Sequence, residues 1–260
     1  MGILKIFFNN IVPKLIISFD ELESKNKIFN KIILRNGYSF KPNHSFSEAN
    51  KSREIIFKNK FKIDPFIAYE IKDVFLLGPY GIPINRNGRI IEFTSKEVIL
   101  KLIRRTINKM GITKFLYIYF SNLFTFIKKY EVKSALHLVP RHGYDPGVPN
   151  FSHWILENLP QLYVEEFLEF EDIIINNNPL NWQTESLSLI NNKKNIYEHN
   201  KGATKVERLI LTTIRSITSS KSDRDPLSRK WVKDKITNKY DIKNRPIKRV
   251  FIPRQNMKRG

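Results

Sequence analysis

Residues 172–190 read Asp-Ile-Ile-Ile-Asn-Asn-Asn-Pro-Leu-Asn-Trp-Gln-Thr-Glu-Ser-Leu-Ser-Leu-Ile, and this stretch decides the fold class. Its apolar start predicts a strand over Asp172–Ile175, and the spacing of its later apolar residues predicts a helix over Trp182–Ile190. A further strand is predicted at Val206–Leu211. Upstream, a strand at Ala135–Val139 and a helix at Ser152–Phe170 are predicted. Alternation of strands and helices is typical of a parallel sheet with helices on its faces, so the sequence predicts an α/β fold.

The residues before this region predict fewer elements. Residues 1–60 are polar, rich in Asn and Lys and only weakly periodic, so order is expected to begin near Ile67. Tyr69–Leu77 predicts a strand, followed by a turn at 78–81 and a second strand at Ile90–Phe93 that pairs back onto it. Thr94-Ser-Lys-Glu97 has capping-box spacing with Thr94 as the cap, which predicts a helix over 95–110 that ends at Gly111. The aromatic residues that follow are expected in the core: Phe115, Tyr117, Tyr119, Phe120, Phe124 and Phe126.

Composition limits the function classes. The chain has 260 residues, with 45 Lys and Arg against 25 Asp and Glu, giving a formal net charge of +20. This excess predicts attraction to anions such as nucleic acid, an acidic membrane surface or a phosphorylated small molecule. The chain has no Cys, which excludes a disulfide scaffold, a thiolate zinc site and cysteine catalysis. No segment has the pattern of a secretory signal or a membrane span, so a cytoplasmic location, including a peripheral one at the inner face of the membrane, is expected.

The segment Asn150-Phe-Ser-His-Trp-Ile-Leu-Glu-Asn-Leu-Pro-Gln-Leu162 carries the candidate chemistry. On a helix, His153, Glu157 and Gln161 form one polar stripe, and Pro160 predicts a bend. One interpretation is an amphipathic helix whose polar face is solvated. The other is a helix lining a cleft, in which Glu157 fixes the tautomer of His153 and the imidazole acts as a base or binds a hydroxyl.

This segment resembles the Asn-Tyr-x-His-Trp-Leu-x-Glu-x-Leu-Pro-Arg-Leu signature of glycosyltransferase family 61, which includes enzymes of capsular polysaccharide biosynthesis. Arg249-Val-Phe-Ile-Pro-Arg254 resembles the strand that opens the second domain of the family, and Val206-Glu-Arg-Leu-Ile-Leu211 resembles an intervening strand. Order and spacing agree over residues 67–260. The chain departs from the family pattern at Gln161, where Arg is usual, and at Pro253, where Ser is usual.

The resemblance implies an α/β fold: the Rossmann-like N-terminal domain of a two-domain, GT-B-type glycosyltransferase, plus the first strand of the second domain. Residues 1–66 then form an N-terminal segment of unassigned role, and 67–217 form the acceptor-side domain. Residues 218–247 are a linker with a short helix, and 248–260 begin the donor-binding domain. The Gly-Ala-Gly loop that the family carries in that domain has no match, so a chain truncated within it is expected.

The function implied is transfer of a hexosyl or pentosyl group from a nucleotide-sugar to a glycan or lipid-linked acceptor in cell-surface polysaccharide biosynthesis. The acceptor hydroxyl must lose a proton and the diphosphate leaving group gains charge, so a base and cations are required. No cofactor besides the donor substrate and no metal are expected. The resemblance implies the following residues: His153 and Glu157 as catalytic, with the choice of base between them open, Arg249 and Arg254 at the nucleotide-sugar, and Arg141, Asn150 and Trp154 at the substrate.

Two alternatives remain open. A basic nucleic-acid-binding protein would also use the net charge, but the sequence has no helix-turn-helix spacing, zinc-finger ligands or aromatic RNA-binding strand, so nucleic acid is the less favoured partner. A non-catalytic remnant of a glycosyltransferase is the other. Asp223-Arg-Asp225 matches a metal-binding pattern, but Asp225 before Pro226 is better explained as a helix cap. His137 and His142 share no helix face, which favours a structural role for them over a metal site.

Overall fold

The computed structural model describes residues 10–40, 61–124, 130–139, 151–190, 194–199, 202–213 and 226–240. Its helices are α1 (Val12–Leu15), α2 (Phe19–Ser24), α3 (Lys96–Met110), α4 (Ile112–Phe124), α5 (Phe151–His153), α6 (Asn181–Ile190) and α7 (Pro226–Tyr240). Helix α5 continues without a break into a π-helical turn (Trp154–Asn158) and a 3-10 helix (Leu159–Glu166). We call residues 151–166 the composite helix. No helix among the described residues has the length and apolar composition needed to cross a membrane.

The strands are β1 (Ile16–Ile17), β2 (Ile28–Arg35), β3 (Tyr38–Phe40), β4 (Phe61–Ile63), β5 (Phe66–Leu77), β6 (Ile82–Asn85), β7 (Ile90–Ile91), β8 (Val132–His137), β9 (Asp172–Ile175), β10 (Asn195–Glu198) and β11 (Ala203–Thr212). Nine of them form one sheet in the order β1-β7-β6-β5-β11-β8-β9-β10, with β2 also paired to β5. Strands β3 and β4 form a separate antiparallel pair.

The large sheet is mixed, so the prediction of a parallel sheet is correct for only part of it. Strands β11, β8, β9 and β10 are parallel neighbours. Strand β5 runs antiparallel to β11, β6 and β2. Strand β5 pairs with a strand that lies more than one hundred residues downstream, and this pairing sets its direction. The sequence does not reveal this direction, because β5 is buried on both faces and therefore has the near-continuous apolar run that is typical of a parallel strand.

Helices cover both faces of the sheet, which confirms the α/β class. On one face, α1, α3 and α4 pack over a first core cluster that includes Leu102, Phe115 and Leu209. On the other face, the composite helix, α6 and α7 pack over a second core cluster that includes Trp154, Leu187 and Ile210. Neighbouring residues of β11 thus point to opposite faces, as the two-residue period of a strand requires.

Several predicted boundaries change. Helix α3 begins one residue later than predicted, because Ser95 occupies the N-cap and the buried Thr94 hydroxyl does not accept from Glu97. Strand β5 begins at Phe66, and β7 is limited to Ile90–Ile91. The predicted pairing of β7 with β5 is wrong, because β6 lies between them and β7 pairs with β6 and β1. The strand predicted at Ala135–Val139 begins at Val132. Gly111 ends α3 with a φ of 81°, a value that favours glycine.

The first part of the chain is more ordered than predicted. Elements α1, β1, α2 and β2 all precede Ile67, and two of these strands belong to the large sheet. Ser18 caps α2 by accepting from the amide of Glu21 at 3.1 Å. Strands β1 and β2 of this segment therefore extend the large sheet. The strand that the resemblance implies at Arg249–Arg254 lies outside the described residues.

The prediction that the aromatic residues of α4 form core is wrong for three of the five that the structure describes. Phe115 and Tyr119 are buried, whereas Tyr117, Phe120 and Phe124 are 73%, 49% and 86% exposed. Phe126 lies outside the described residues. The exposed rings repeat at intervals of three and four residues, so they lie along one face of α4 opposite its buried face.

Candidate functional site

The composite helix changes its hydrogen-bonding pattern just before Pro160. The amide of Leu159 donates to the carbonyl of Trp154, five residues back, which is the π-helical pattern. Proline has no amide hydrogen, so the pattern cannot continue through position 160, and the chain proceeds as a 3-10 helix. The sequence predicted a bend at Pro160, and the structure has a change of helix type there. π-Helical turns are frequent at functional sites.

His153 and Glu157 lie side by side at the start of the composite helix. The Nδ1 atom of His153 is 3.0 Å from Oε1 of Glu157. The His153 side chain is 18% exposed and the Glu157 side chain is 6% exposed. The imidazole therefore reaches solvent while the carboxylate that holds it is nearly buried. The contact predicted from the spacing of four residues is present.

This contact has a chemical consequence for the ring. A carboxylate oxygen only accepts a hydrogen bond, so the neutral imidazole must carry its proton on Nδ1 and donate it to Glu157. The lone pair is then on Nε2, which is the atom that can accept a proton from another molecule. The His153–Glu157 pair thus has the arrangement of a general base whose tautomer is fixed by a carboxylate.

Gln161 connects the pair to the sheet. Its side-chain nitrogen donates to the backbone carbonyl of Glu157 at 3.0 Å, and its Oε1 accepts from the hydroxyl of Thr212 in β11 at 2.8 Å. Gln161 and Thr212 are both fully or almost fully buried. The position at which the chain departs from the family pattern therefore has a structural role, since Gln161 fixes the π-helical turn relative to β11.

Trp154 connects the π-helical turn to α6. Its side chain is completely buried, its indole nitrogen donates to Ser186 Oγ at 2.8 Å, and its ring meets Trp182 edge to face at a centroid distance of 6.0 Å. The resemblance implies a substrate contact for Trp154. In this structure its contacts are instead with α6, so it holds the backbone on which His153 and Glu157 are placed.

The other residues implied by the resemblance, Arg141, Asn150, Arg249 and Arg254, lie outside the described residues. The same holds for His142 and for Asp223-Arg-Asp225. Over the ranges that the structure describes, no three His, Asp or Glu side chains are grouped closely enough to hold a metal ion.

A cavity of about 480 Å³ lies away from this pair, between the start of β2, the middle of β5 and the β6–β7 turn. The charged side chains that line it are Lys27, Lys72, Asp73 and Arg86. The Lys72 ammonium lies 3.8 Å from the centre of the Phe29 ring, and Tyr130 donates to Asp73. This hydrogen bond raises the pKa of Tyr130 to about 12. No sequence pattern pointed to this cavity, because its lining comes from segments that are distant in the sequence.

Two buried histidines, which sequence reasoning did not connect, hold the turn at residues 78–81. His137 donates through Nε2 to the carbonyl of Gly81 at 2.9 Å, which agrees with the structural role predicted for it. His199 donates through Nε2 to the carbonyl of Gly78 at 2.6 Å and accepts from Thr204 at Nδ1. Burial lowers the pKa of His199 to about 4, against a smaller opposite effect of the Gly78 carbonyl. His199 therefore stays neutral and structural.

No protein-family model matches the chain, and comparison with curated proteins and with solved structures finds no match.

Proposed function

We propose that the chain is a glycosyltransferase that transfers a sugar from a nucleotide-sugar to a hydroxyl of a glycan or lipid-linked acceptor, with His153 as the general base. The observation that supports this proposal is the His153–Glu157 contact of 3.0 Å, in which a solvent-reaching imidazole is paired with a nearly buried carboxylate. The resemblance of residues 150–162 to the family 61 signature supplies the reaction class.

The proposed step assigns each proton and bond. The acceptor oxygen forms a bond to the anomeric carbon of the donor as the bond from that carbon to the diphosphate breaks. The hydroxyl proton moves to Nε2 of His153, and the Nδ1 proton stays with the ring, where Glu157 stabilises the resulting imidazolium. The leaving diphosphate takes the electron pair of the broken bond. Its negative charge is met by the cationic residues that the resemblance implies at the donor, Arg249 and Arg254.

The scaffold suits a base that must stay in one orientation. Trp154 and Gln161 hold the π-helical turn to α6 and β11 through hydrogen bonds of 2.8 Å to Ser186 and Thr212. A side chain fixed in this way loses little conformational entropy on reaching the transition state. The four adjacent parallel strands, with helices on both sheet faces, support the finer proposal of a Rossmann-like domain of the GT-B type.

Calorimetry with uridine, guanosine and cytidine diphosphate sugars, followed by a transfer assay with the sugar that binds, tests the proposal. We expect His153→Ala to lower the transfer rate by about 100-fold or more while donor affinity changes little, because general base catalysis contributes about 10²–10⁴-fold. Glu157→Gln should lower the rate as well, because the imidazolium that forms on His153 loses its counter-charge.

Glu165→Gln is the matched control, because Glu165 is a partly buried carboxylate on the same composite helix whose partner is Lys235 at 3.3 Å. It should keep the wild-type rate. Wild-type transfer by His153→Ala would contradict the role of the base. Binding of DNA with a steep salt dependence, without binding of any nucleotide-sugar, would favour the nucleic-acid alternative. Nucleotide-sugar binding without transfer would favour the non-catalytic remnant.

A further inference from the structure

Helices α3 and α4 lie on the same face of the sheet. Leu102 and Ile103 of α3 and Phe115 and Tyr119 of α4 all belong to the first core cluster. The two helices contact each other and are separated by Gly111 alone. Because both bury one side in the same cluster, their opposite sides point away from it, toward the same side of the molecule.

The outward side of α3 is strongly basic. The exposed charged residues of this helix are Lys96, Glu97, Lys101, Arg104, Arg105 and Lys109, so five cations accompany one carboxylate. Lys114 adds a further exposed cation in the first turn of α4. Such a distribution attracts a surface that carries many negative charges, because the exposed cations of these helices outnumber their exposed carboxylates.

The outward side of α4 is aromatic. Tyr117, Phe120 and Phe124 are 73%, 49% and 86% exposed, and they follow each other along one helix face. Three large rings in water on one face of one helix are unusual for a protein surface that meets only solvent. Transfer of such rings from water to an apolar medium is favourable, so this face gains free energy from contact with one.

We propose that the outward faces of α3 and α4, which we call the basic–aromatic surface, bind the surface of an anionic lipid bilayer. The cations of α3 and Lys114 contact the headgroups, and the rings of α4 enter the boundary between headgroups and acyl chains. Amphipathic helices that lie in the plane of a membrane combine these two features, and attraction to anionic lipid adds to the burial of apolar area. A bilayer is favoured over double-stranded nucleic acid because the duplex stacks its bases inside the helix, whereas the bilayer has an apolar layer next to its dense array of negative charges. This inference does not depend on the proposed glycosyltransferase activity.

The test measures co-sedimentation of the full chain with vesicles of phosphatidylcholine that contain phosphatidylglycerol, and with vesicles of phosphatidylcholine alone. We expect binding to the anionic vesicles, and binding to the neutral ones that is weaker by at least 100-fold. Replacing three cations (Lys101→Gln, Arg104→Gln and Arg105→Gln) should weaken anionic binding by about 100-fold, since each cation near such a surface contributes about a factor of five. Replacing three rings (Tyr117→Ser, Phe120→Ser and Phe124→Ser) should weaken it by at least 10-fold.

Two further measurements make the result specific to this surface. A control that removes three exposed cations outside the helices of this sheet face (Lys133→Gln, Lys230→Gln and Lys233→Gln) should retain most of the binding. The variant Tyr117→Trp should show a blue shift of its fluorescence with anionic vesicles, because the indole leaves water. Far-ultraviolet circular dichroism checks that each variant is folded, and the replaced side chains are exposed, so unfolding is not expected.

The inference is overturned by any of three results. The first is an absence of binding to anionic vesicles. The second is equal loss in the control and the three-cation variant, which would show that net charge alone attracts the chain. The third is a pair of observations: the three-ring variant binds as tightly as the wild type, and Tyr117→Trp shows no blue shift. The rings would then not enter the bilayer. Tighter binding to double-stranded DNA than to anionic vesicles at the same salt concentration would assign the surface to nucleic acid instead.

Discussion

His199 should make the stability of the fold depend on pH between about 7 and 4. The side chain is almost completely buried, and burial lowers its pKa from 6.5 to about 4. In the unfolded chain the same group titrates at its ordinary value, so on acidification the unfolded state binds the proton first. Stability from neutral His199 is therefore fully present above pH 6.5, is lost as pH falls toward 4, and changes no further below that value.

The expected size follows from the two pKa values. A difference of one pKa unit corresponds to about 1.4 kcal/mol, so the free energy of unfolding should fall by about 2 kcal/mol at pH 5 and by about 3 kcal/mol at pH 4. Carboxyl groups also titrate in this range, and a comparison with His199→Gln removes their contribution. Glutamine can still donate to the Gly78 carbonyl, which His199 contacts at 2.6 Å, but it does not titrate.

Urea unfolding of both proteins at pH 7.5, 6.5, 5.5 and 5.0 measures the effect. The wild-type protein should be the more stable of the two at pH 7.5, and this advantage should shrink by about 2 kcal/mol at pH 5. If the two stability curves run parallel over this range, His199 is not a neutral buried group in the folded state. The reasoning from burial would then be refuted, whatever the absolute stability of the variant.

Two further substitutions test contacts in the sheet and at its turn. Arg208→Met should destabilise the protein by about 2 kcal/mol, because Arg208 Nε lies 2.9 Å from Oε1 of the buried Glu70. The control Lys205→Met on the same strand should destabilise it much less. Equal urea midpoints for the two variants would contradict this prediction. Gly78→Ala should cost about 1–3 kcal/mol, because its Cβ would lie 2.5 Å from Cγ2 of Thr106 at a φ of 68°. Gly111 has a similar φ of 81°, but a Cβ added there would have no neighbour within 4 Å, so Gly111→Ala is the control without a clash. If thermal melts show equal losses of stability for the two glycine variants, the clash with Thr106 is not the cause of the loss in Gly78→Ala.

The elements that the sequence predicts well are those with a complete local pattern. Strand β9 has the predicted bounds, since three consecutive isoleucines are followed by asparagines and a proline that end the strand. Helix α6 begins one residue before the predicted Trp182. The spacing of four residues also predicted the contact of His153 with Glu157, because residues at this spacing face each other on a helix.

The elements that the sequence missed depend on contacts between distant residues. Strand β2 reads Ile-Phe-Asn-Lys-Ile-Ile-Leu-Arg, in which apolar and polar residues do not alternate, so its exposed residues include the apolar Phe29 and Ile33, which are 56% and 53% exposed. Strand β2 forms because it pairs with β5, and the sequence of β2 alone does not indicate this pairing. Ser18-Phe-Asp-Glu21, by contrast, is a capping-box pattern that could have located α2 from sequence alone, and the structure has the Ser18 cap. The π-helical turn of the candidate site has no sequence signal beyond Pro160.

The two proposals constrain each other through the layers of the fold. The basic–aromatic surface belongs to the helices over the first core cluster, whereas the His153–Glu157 pair belongs to the composite helix over the second, on the opposite face of the sheet. A helix packs about 10 Å from the structure beneath it, so the helix layers on either side of the sheet are about 20 Å apart. With α3 and α4 on the bilayer, the imidazole of His153 would therefore lie well above the headgroups. An acceptor sugar joined directly to a membrane lipid would not reach it, whereas the growing end of a longer glycan would. Taken together, the two proposals therefore predict a chain-extending transfer rather than one that adds the first sugar to a lipid.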